Sequence, residues 1–541
     1  MPPMDTKQEL MDPLSNGQQL VDLNDGKELL AQLLEGRSAE LPTRLIDTKN
    51  GVLVESYKIV DLFKNSQEYA NLTQRLQSVA SSEWTDLIRS SIGDYFSYAT
   101  LSHRWGNSEP LHTDLQASTT YALPSSPGVE KLLGFCALTR ERGFRWAWSD
   151  TCCIDRTSSS EVQESINSMF HWYRASGLTI VYLADVAVSS EGVLKRSEWF
   201  RRGWTLQELL APRTVQFYKS DWIPYIFRPD GILAKDNDKA VPEFAQLLSE
   251  AARVDAKYLT NFTPGTENVR EKLCWAAHRA TTKVEDMAYC LSGIFGIFIP
   301  VLYGEKDRAF SRLQEELLKQ SDDVSLFDWV GEPSKLNSCL ASHPRCFHEP
   351  HWAPEDGVAA VADCPIGRVV TGLSYLIRTN LNIYRRLLIG PPPGHALVNG
   401  RLRLTPHAYF AIKSVKLNAE TPSDTGNGRY CYTLSTIATN PVTIITPEKL
   451  EEYSFDGLSI IKANLVYARY TLVRLGNLPG METLDEQDPH SLGKPFAALL
   501  LEQQRTERAM QLFRRIPTTT RITVQLKAAF FIEICETLAV E

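Results

Sequence analysis

The spacing of hydrophobic and polar positions changes several times along the chain, and each change predicts a different kind of element. Residues 1–94 are mixed: the first twenty are polar, and VDLNDGKELLAQLLEG then carries helical spacing that stops at Gly36. At Tyr95 the texture turns to YFSYATLSHRW, an aromatic and apolar run that predicts a strand near 97–103. A loop of some twenty residues follows, GNSEPLHTDLQASTTYALPSSPG, long enough to suggest function or mobility. Val129, Leu132, Leu133, Cys136 and Ala137 then mark one face of a helix ending near Gly143. RWAWSDTCCID predicts a strand near 145–151. EVQESINSMFHWYRAS predicts a helix with Val162, Ile166, Met169, Phe170 and Tyr173 on one face, and Ser160 with Gln163 reads as its capping box. LTIVYLADV, apolar throughout, predicts a strand near 178–184 buried on both faces. WTLQELLA is a short helix, and TVQFY a strand near 214–218.

Strand and helix in alternation imply a parallel sheet with right-handed crossovers, in which ligands bind beyond the carboxyl ends of the strands. Residues 230–330 read as four amphipathic helices, among them ENVREKLCWAAHRA and EKDRAFSRLQEELLKQ. Beyond about 335 the chain becomes strand-like: RVVTGLSYLI, LNIYRRLLI, RLRLTPHAYFAIKSVKL, RYCYTLSTIA, PVTIIT, LVYARYTLVRL and RITVQLKAAFFIEI, with PPPG and DTGNG as turns. The expected layout is a lead-in over 1–94, an α/β domain over 95–230, a helical extension over 231–335 packed on it, and a β-rich domain over 336–541.

Composition adds exclusions. At 541 residues, with 43% hydrophobic and 23% charged positions, the chain can bury large cores. A net charge of −8 without a basic stripe argues against nucleic acid as a partner. The N-terminus lacks a basic segment followed by an apolar one, so no signal peptide is expected. The most apolar run, residues 291–304, is too short for a bilayer and contains Pro300. A cytoplasmic location without a membrane span is the expectation. The ten cysteines are scattered and form no C-x-x-C pair, which fits neither a zinc site nor a disulfide framework.

Four tryptophan-rich blocks carry a resemblance. YATLSHRWG (98–106), WAWSDTCCID with SINSMFHWYRASGLTIVYLADV (146–186), and SEWFRRGWTLQELLAP (197–212) resemble the heterokaryon incompatibility (HET) family of fungi. A fourth stretch, WAAHRATTKVEDMAYCLSGIFGIFIPVLYGEKDRAFSRLQEEL, resembles the extension that often follows that domain. The resemblance implies a role in non-self recognition and programmed cell death, exerted through self-association or another signalling protein. HET domains are distantly similar to TIR domains, which have a flavodoxin-like fold and several of which cleave NAD. The TIR pattern places Ser-x-Arg-Gly after the first strand and a catalytic glutamate in Trp-Cys-x-x-Glu-Leu. Here Ser102, Arg104 and Gly106 match the former, with Trp105 inserted; Trp204, Glu208 and Leu209 match the latter, with Thr205 in place of Cys. The resemblance thus implies Glu208 as catalytic carboxylate, Ser102, Arg104, Trp105, Gly106, Asp150 and Trp204 as substrate-binding residues, and NAD as substrate rather than cofactor.

Each candidate has a structural alternative. Thr205 and Glu208 read as a capping box, and helical spacing turns Glu208 away from the face of Leu206, Leu209 and Leu210. Arg104 is a phosphate ligand, an exposed loop arginine, or one paired to Asp150. Asp150, Asp155 and Asp185 lack metal-ligand spacing and fit loop caps and ion pairs. Trp146, Trp148, Trp199, Trp204 and Trp222 line a pocket or fill the core. Ser102 and His103 alternate along a strand, which disfavours a serine hydrolase, and no phosphate-binding glycine motif occurs. Two functions remain open: an NAD glycohydrolase, and a non-catalytic module that signals by association.

Overall fold

The computed structural model describes residues 23–228, 231–233, 235–321, 323–348, 394–398, 401–405, 409–412, 414–418, 429–436, 439–454, 469–474, 496–504 and 512–524. The chain forms two compact units, one from residues 1–99 and 107–154, the other from 100–106 and 155–541. The α/β part has six strands: β1 (Arg44–Asp47), β2 (Val52–Glu55), β3 (Tyr98–His103), β4 (Trp146–Trp148), β5 (Leu178–Tyr182) and β6 (Val215–Tyr218).

In the first unit the strand order is β2-β1-β4, and both pairings are antiparallel, with Ile46 opposite Leu53 on one side and Ala147 on the other. The β1–β2 turn is built for a reversal. Gly51 takes φ 70°, which a Cβ disfavours, and the Asn50 side chain accepts from the Val52 N–H at 3.0 Å. This hairpin lies in the lead-in, where no sheet strand was expected, and it makes the architecture mixed rather than wholly parallel. Helix Pro127–Glu141 opens with Ser126 capping the Val129 N–H and Pro127 at its first position. Its buried face includes Val129, Leu132, Phe135 and Cys136, while Leu133 is half-buried and Ala137 exposed. That face is rotated slightly from the expected one.

In the second unit Thr100–His103 of β3 neighbours β5, and β5 pairs in parallel with β6, Val181 opposite Phe217. Leu178, Ile180 and Val181 are fully buried, as an apolar strand covered on both faces requires. β6 is the outer strand, and its outward N–H groups are met by side chains: Asn237 Oδ1 accepts from Val215 and Asp238 Oδ2 from Phe217. Helix Ser159–Ala175 buries Ile166, Met169, Phe170 and Tyr173, and its cap is Ser158, two residues ahead of the expected Ser160.

Three helices of the extension, Val269–Ala276, Asp286–Phe295 and Arg308–Gln320, belong to the same unit. Phe262 meets Phe170 edge to face at 6.1 Å. Of the apolar run, Leu291, Ile294, Phe295, Ile297 and Ile299 are buried, whereas Phe298 is 78% exposed and Leu302 52%. Among the C-terminal stretches, Ser414–Leu417, Tyr430–Ser435 and Val442–Thr446 pair antiparallel around buried Tyr432 and Leu434. The sequence pattern misses the nine-residue strand Phe496–Gln504, which pairs with Tyr470–Arg474. RVVTGLSYLI and LNIYRRLLI lie outside the described residues, as does most of RITVQLKAAFFIEI. Among the described residues no helix is long and apolar enough to cross a membrane.

Candidate functional site

Ser102 lies near the carboxyl end of β3 and is wholly buried. The strand is anchored just ahead of it in sequence: Tyr173 donates to the Leu101 carbonyl at 3.0 Å, and the Thr100 and Thr179 hydroxyls meet at 2.7 Å. Ser102 Oγ donates to Glu208 Oε2 at 2.5 Å and accepts from the Trp199 indole N–H at 2.9 Å. A polar chain therefore runs Trp199 to Ser102 to Glu208, through residues that are 1%, 0% and 5% exposed.

The short helix Thr205–Leu210 carries Glu208, and all six of its residues are buried. The expected outward orientation of Glu208 is therefore incorrect. On a helix this short and enclosed, packing on every side overrides the two-faced pattern. The expected capping box is not formed either, since Trp204 rather than Thr205 is the N-cap residue. Thr205 Oγ1 instead lies 2.6 Å from the Trp199 carbonyl and 2.9 Å from that of Arg202, donating its one proton between them.

The extension supplies what sits against this helix. Ala280 donates to the Arg201 carbonyl at 2.7 Å, and Gly203 donates to the Ala280 carbonyl at 2.9 Å, a parallel bridge between Arg202 and Ala280. Gly203 is required by this approach, because a Cβ there would lie 2.6 Å from Thr281 Cγ2 and 3.0 Å from Cys290 Sγ. Arg279 is buried, donating to the carbonyls of Trp275 and Arg202 and to Thr205 Oγ1. Burial lowers its pKa to about 10, and the charge of Glu208 is among the influences that hold it up. Arg279 was not singled out from the sequence: in HRATT it looks like any arginine after a helix, and only the block containing it hinted at a role.

The other candidates each have their own setting. Trp204 is half-buried, its indole N–H 3.3 Å from Asp286 Oδ2. Burial raises the Asp286 pKa, against the Tyr303 hydroxyl that donates to it at 2.9 Å. Lys283 covers the Tyr303 ring at 3.5 Å, and Arg156 covers the Trp105 ring at 4.0 Å. Arg104 and Gly106 are exposed. Asp150 belongs to the first unit, where its charge adds to Cys153 hydrogen bonding and burial in raising the Cys152 pKa. Asp185 accepts from Ser197 Oγ and the Glu198 N–H, both at 2.7 Å, and Asp155 accepts from Thr157, so both act as loop caps. Trp146, Trp148 and Trp199 are core, and Trp222 stacks on Tyr182 at 4.5 Å.

Comparison with known proteins bears on residues from this same stretch. Residues 98–196, which include Ser102, match the family model described as Heterokaryon incompatibility protein (HET). The chain carries a HET domain. Over 244 residues it is 36% identical to the vegetative incompatibility protein HET-E-1 of Podospora anserina, an alignment covering 43% of this chain and 17% of that protein. The match thus spans about a sixth of that relative's length. No solved structure matches the chain. The HET family match ends before Trp199, so Glu208 and Arg279 lie beyond it, in the part of the fold that completes the setting of Ser102.

Proposed function

We propose that the chain acts in fungal vegetative incompatibility, the process named for its Podospora relative, and that its HET domain does so by TIR-like cleavage of NAD. The observation that carries this reading is the buried Glu208 carboxylate held at 2.5 Å by Ser102, two residues that the TIR resemblance assigns to one site. In the proposed reaction the bond between ribose C1′ and the nicotinamide nitrogen breaks, and its electron pair leaves with nicotinamide. Positive charge grows on the ribose, and a desolvated carboxylate beside it stabilises that charge. Water then adds to C1′ and releases a proton, giving ADP-ribose. Ser102 and Trp199 orient the carboxylate, Arg104 takes the pyrophosphate, and Trp105 and Trp204 flank the substrate.

A second reading, signalling by association, is favoured by two observations. Glu208 is only 5% exposed, and Val284, Phe298, Leu302 and Tyr303 present apolar surface on the extension. Incubating the purified protein with NAD and measuring free nicotinamide separates the two. Catalysis predicts nicotinamide release that Glu208→Gln lowers by about 10²–10³ while the variant stays folded, with cell killing lost in parallel. A folded Glu208→Gln protein that kills cells at the wild-type level would sink the catalytic reading in favour of association.

A further inference from the structure

The first unit contains a cleft of about 520 Å³, within the range of small-molecule sites. Four cations line it, Lys49, Arg75, Arg140 and Arg145, against two carboxylates, Glu68 and Asp94. This is a cationic concavity in a chain whose net charge is −8. The cations are not equivalent. Arg145 is committed within the fold: it donates to Asp47 Oδ2 at 2.7 Å and to the Tyr95 hydroxyl at 2.8 Å. Arg140 uses one terminal nitrogen on the Thr48 carbonyl, at 2.8 Å, and on the Tyr121 hydroxyl, at 3.0 Å. Its Nε and second terminal nitrogen have no hydrogen-bond partner among the described residues. Arg75 is exposed and has no ion-pair partner among them, and Lys49 approaches Glu68 only to 3.9 Å. Three cationic groups are therefore available around one opening, while Arg145, fixed by Asp47 and Tyr95, stiffens its floor. Backbone hydrogen bonding lowers the Glu68 pKa, so that carboxylate stays ionised as a hydroxyl acceptor, and Asp94 offers a second.

The geometry points to a binding site for a small phosphorylated sugar, free or as part of a nucleotide, distinct from the centre at Glu208. Arg75, Arg140 and Lys49 take the phosphate, through charge-assisted hydrogen bonds that are bidentate where arginine provides them. Glu68 and Asp94 take sugar hydroxyls. The cation set alone would bind any anion, and the carboxylates supply the selection for a polyol, since they repel a bare anion and accept from hydroxyls.

Calorimetric titration of the full chain with ribose 5-phosphate, ADP, inorganic phosphate and ribose tests this. Ribose 5-phosphate or ADP should bind at least tenfold more tightly than phosphate or ribose, and which of the two binds better identifies the source. Arg75→Glu, on an exposed helix face, should weaken that binding at least tenfold, and Asp94→Asn should bring the sugar phosphate closer to phosphate alone. Arg140→Gln should weaken it too, but Arg140 also holds Thr48, so Arg75→Glu keeps the test independent of folding. Glu208→Gln should leave the affinity unchanged. The site is ruled out if neither phosphorylated sugar binds at millimolar concentration, if Arg75→Glu leaves binding intact, if Glu208→Gln abolishes it, or if inorganic phosphate binds as tightly as the sugar phosphates.

Discussion

Ser102 Oγ is both donor and acceptor in the core, between Glu208 at 2.5 Å and Trp199 at 2.9 Å. Replacing it with alanine takes the acceptor from a buried indole N–H and a donor from a buried carboxylate, and each such loss costs about 1–3 kcal/mol. Ser102→Ala should therefore lower the denaturation midpoint clearly, in a urea titration followed by tryptophan fluorescence. An unchanged midpoint would mean that the pair adds little to the fold. That Ser102 and Glu208 meet was legible in the sequence because both sit in motifs that the TIR resemblance assigns to one site. The direction of Glu208 was not, because helical periodicity reports faces only when one of them meets water. Arg279 was illegible for a different reason: its burial depends on a backbone bridge between segments nearly eighty residues apart, and nothing local records such a contact.

Helix Thr205–Leu210 is held at both ends by groups from elsewhere in its unit. At its start Gly203 lies against Thr281, with no room for a side chain. Gly203→Ala should cost about 1–3 kcal/mol by overpacking, seen as a lower midpoint in thermal unfolding. Retained stability would show that the 280–281 segment yields easily. At its end the Lys239 ammonium donates to the carbonyls of Leu209 and Pro212, at 3.0 and 2.6 Å. Burial, with Arg174 nearby, pulls the Lys239 pKa from 10.5 to about 7. Between those values the unfolded chain binds more protons than the folded one, so this group's contribution to stability rises with pH across the window. Below about pH 7 the cost of burying the charge is felt in full. The melting temperature of the native chain should therefore climb relative to that of Lys239→Met between pH 7 and 10; parallel curves would show that Lys239 titrates normally. Strand positions in this region followed the apolar runs closely, from Tyr98–His103 to Val215–Tyr218. The missed hairpin carries Asn50-Gly51, a strong turn signal, but its strands are four residues each, too short for alternation to stand out.

At the scale of the molecule, the extension completes the unit that contains Glu208. Gly293 lies so close to helix Ser159–Ala175 that a Cβ there would sit 2.4 Å from Phe170 Cβ, and Cys290 packs against Gly203. A chain ending at residue 230 would expose Phe170 and the surroundings of Gly203, so it should be insoluble or bind hydrophobic dyes, whereas one ending at residue 335 retains those contacts. Soluble, cooperatively melting protein from the shorter chain would contradict this. The extension was legible as helices, and its apolar run as something to be covered. The partial exposure of that run, with Phe298 and Leu302 turned to solvent, was not, since hydropathy does not say which residues of a loop face inward.

The bridge between Arg202 and Ala280 also sets an order of events during synthesis. A ribosome adding about 5–20 residues per second needs several seconds to travel from one partner to the other. Throughout that interval the nascent chain already contains Ser102, Trp199 and then Glu208, yet neither Arg279 nor the strand-like contact that fixes Gly203 has been made. The Gly203 and Arg279 contacts around helix Thr205–Leu210 are thus made late, well after the codon for Glu208 has been read, and a message broken before residue 279 yields a chain that carries Glu208 without them.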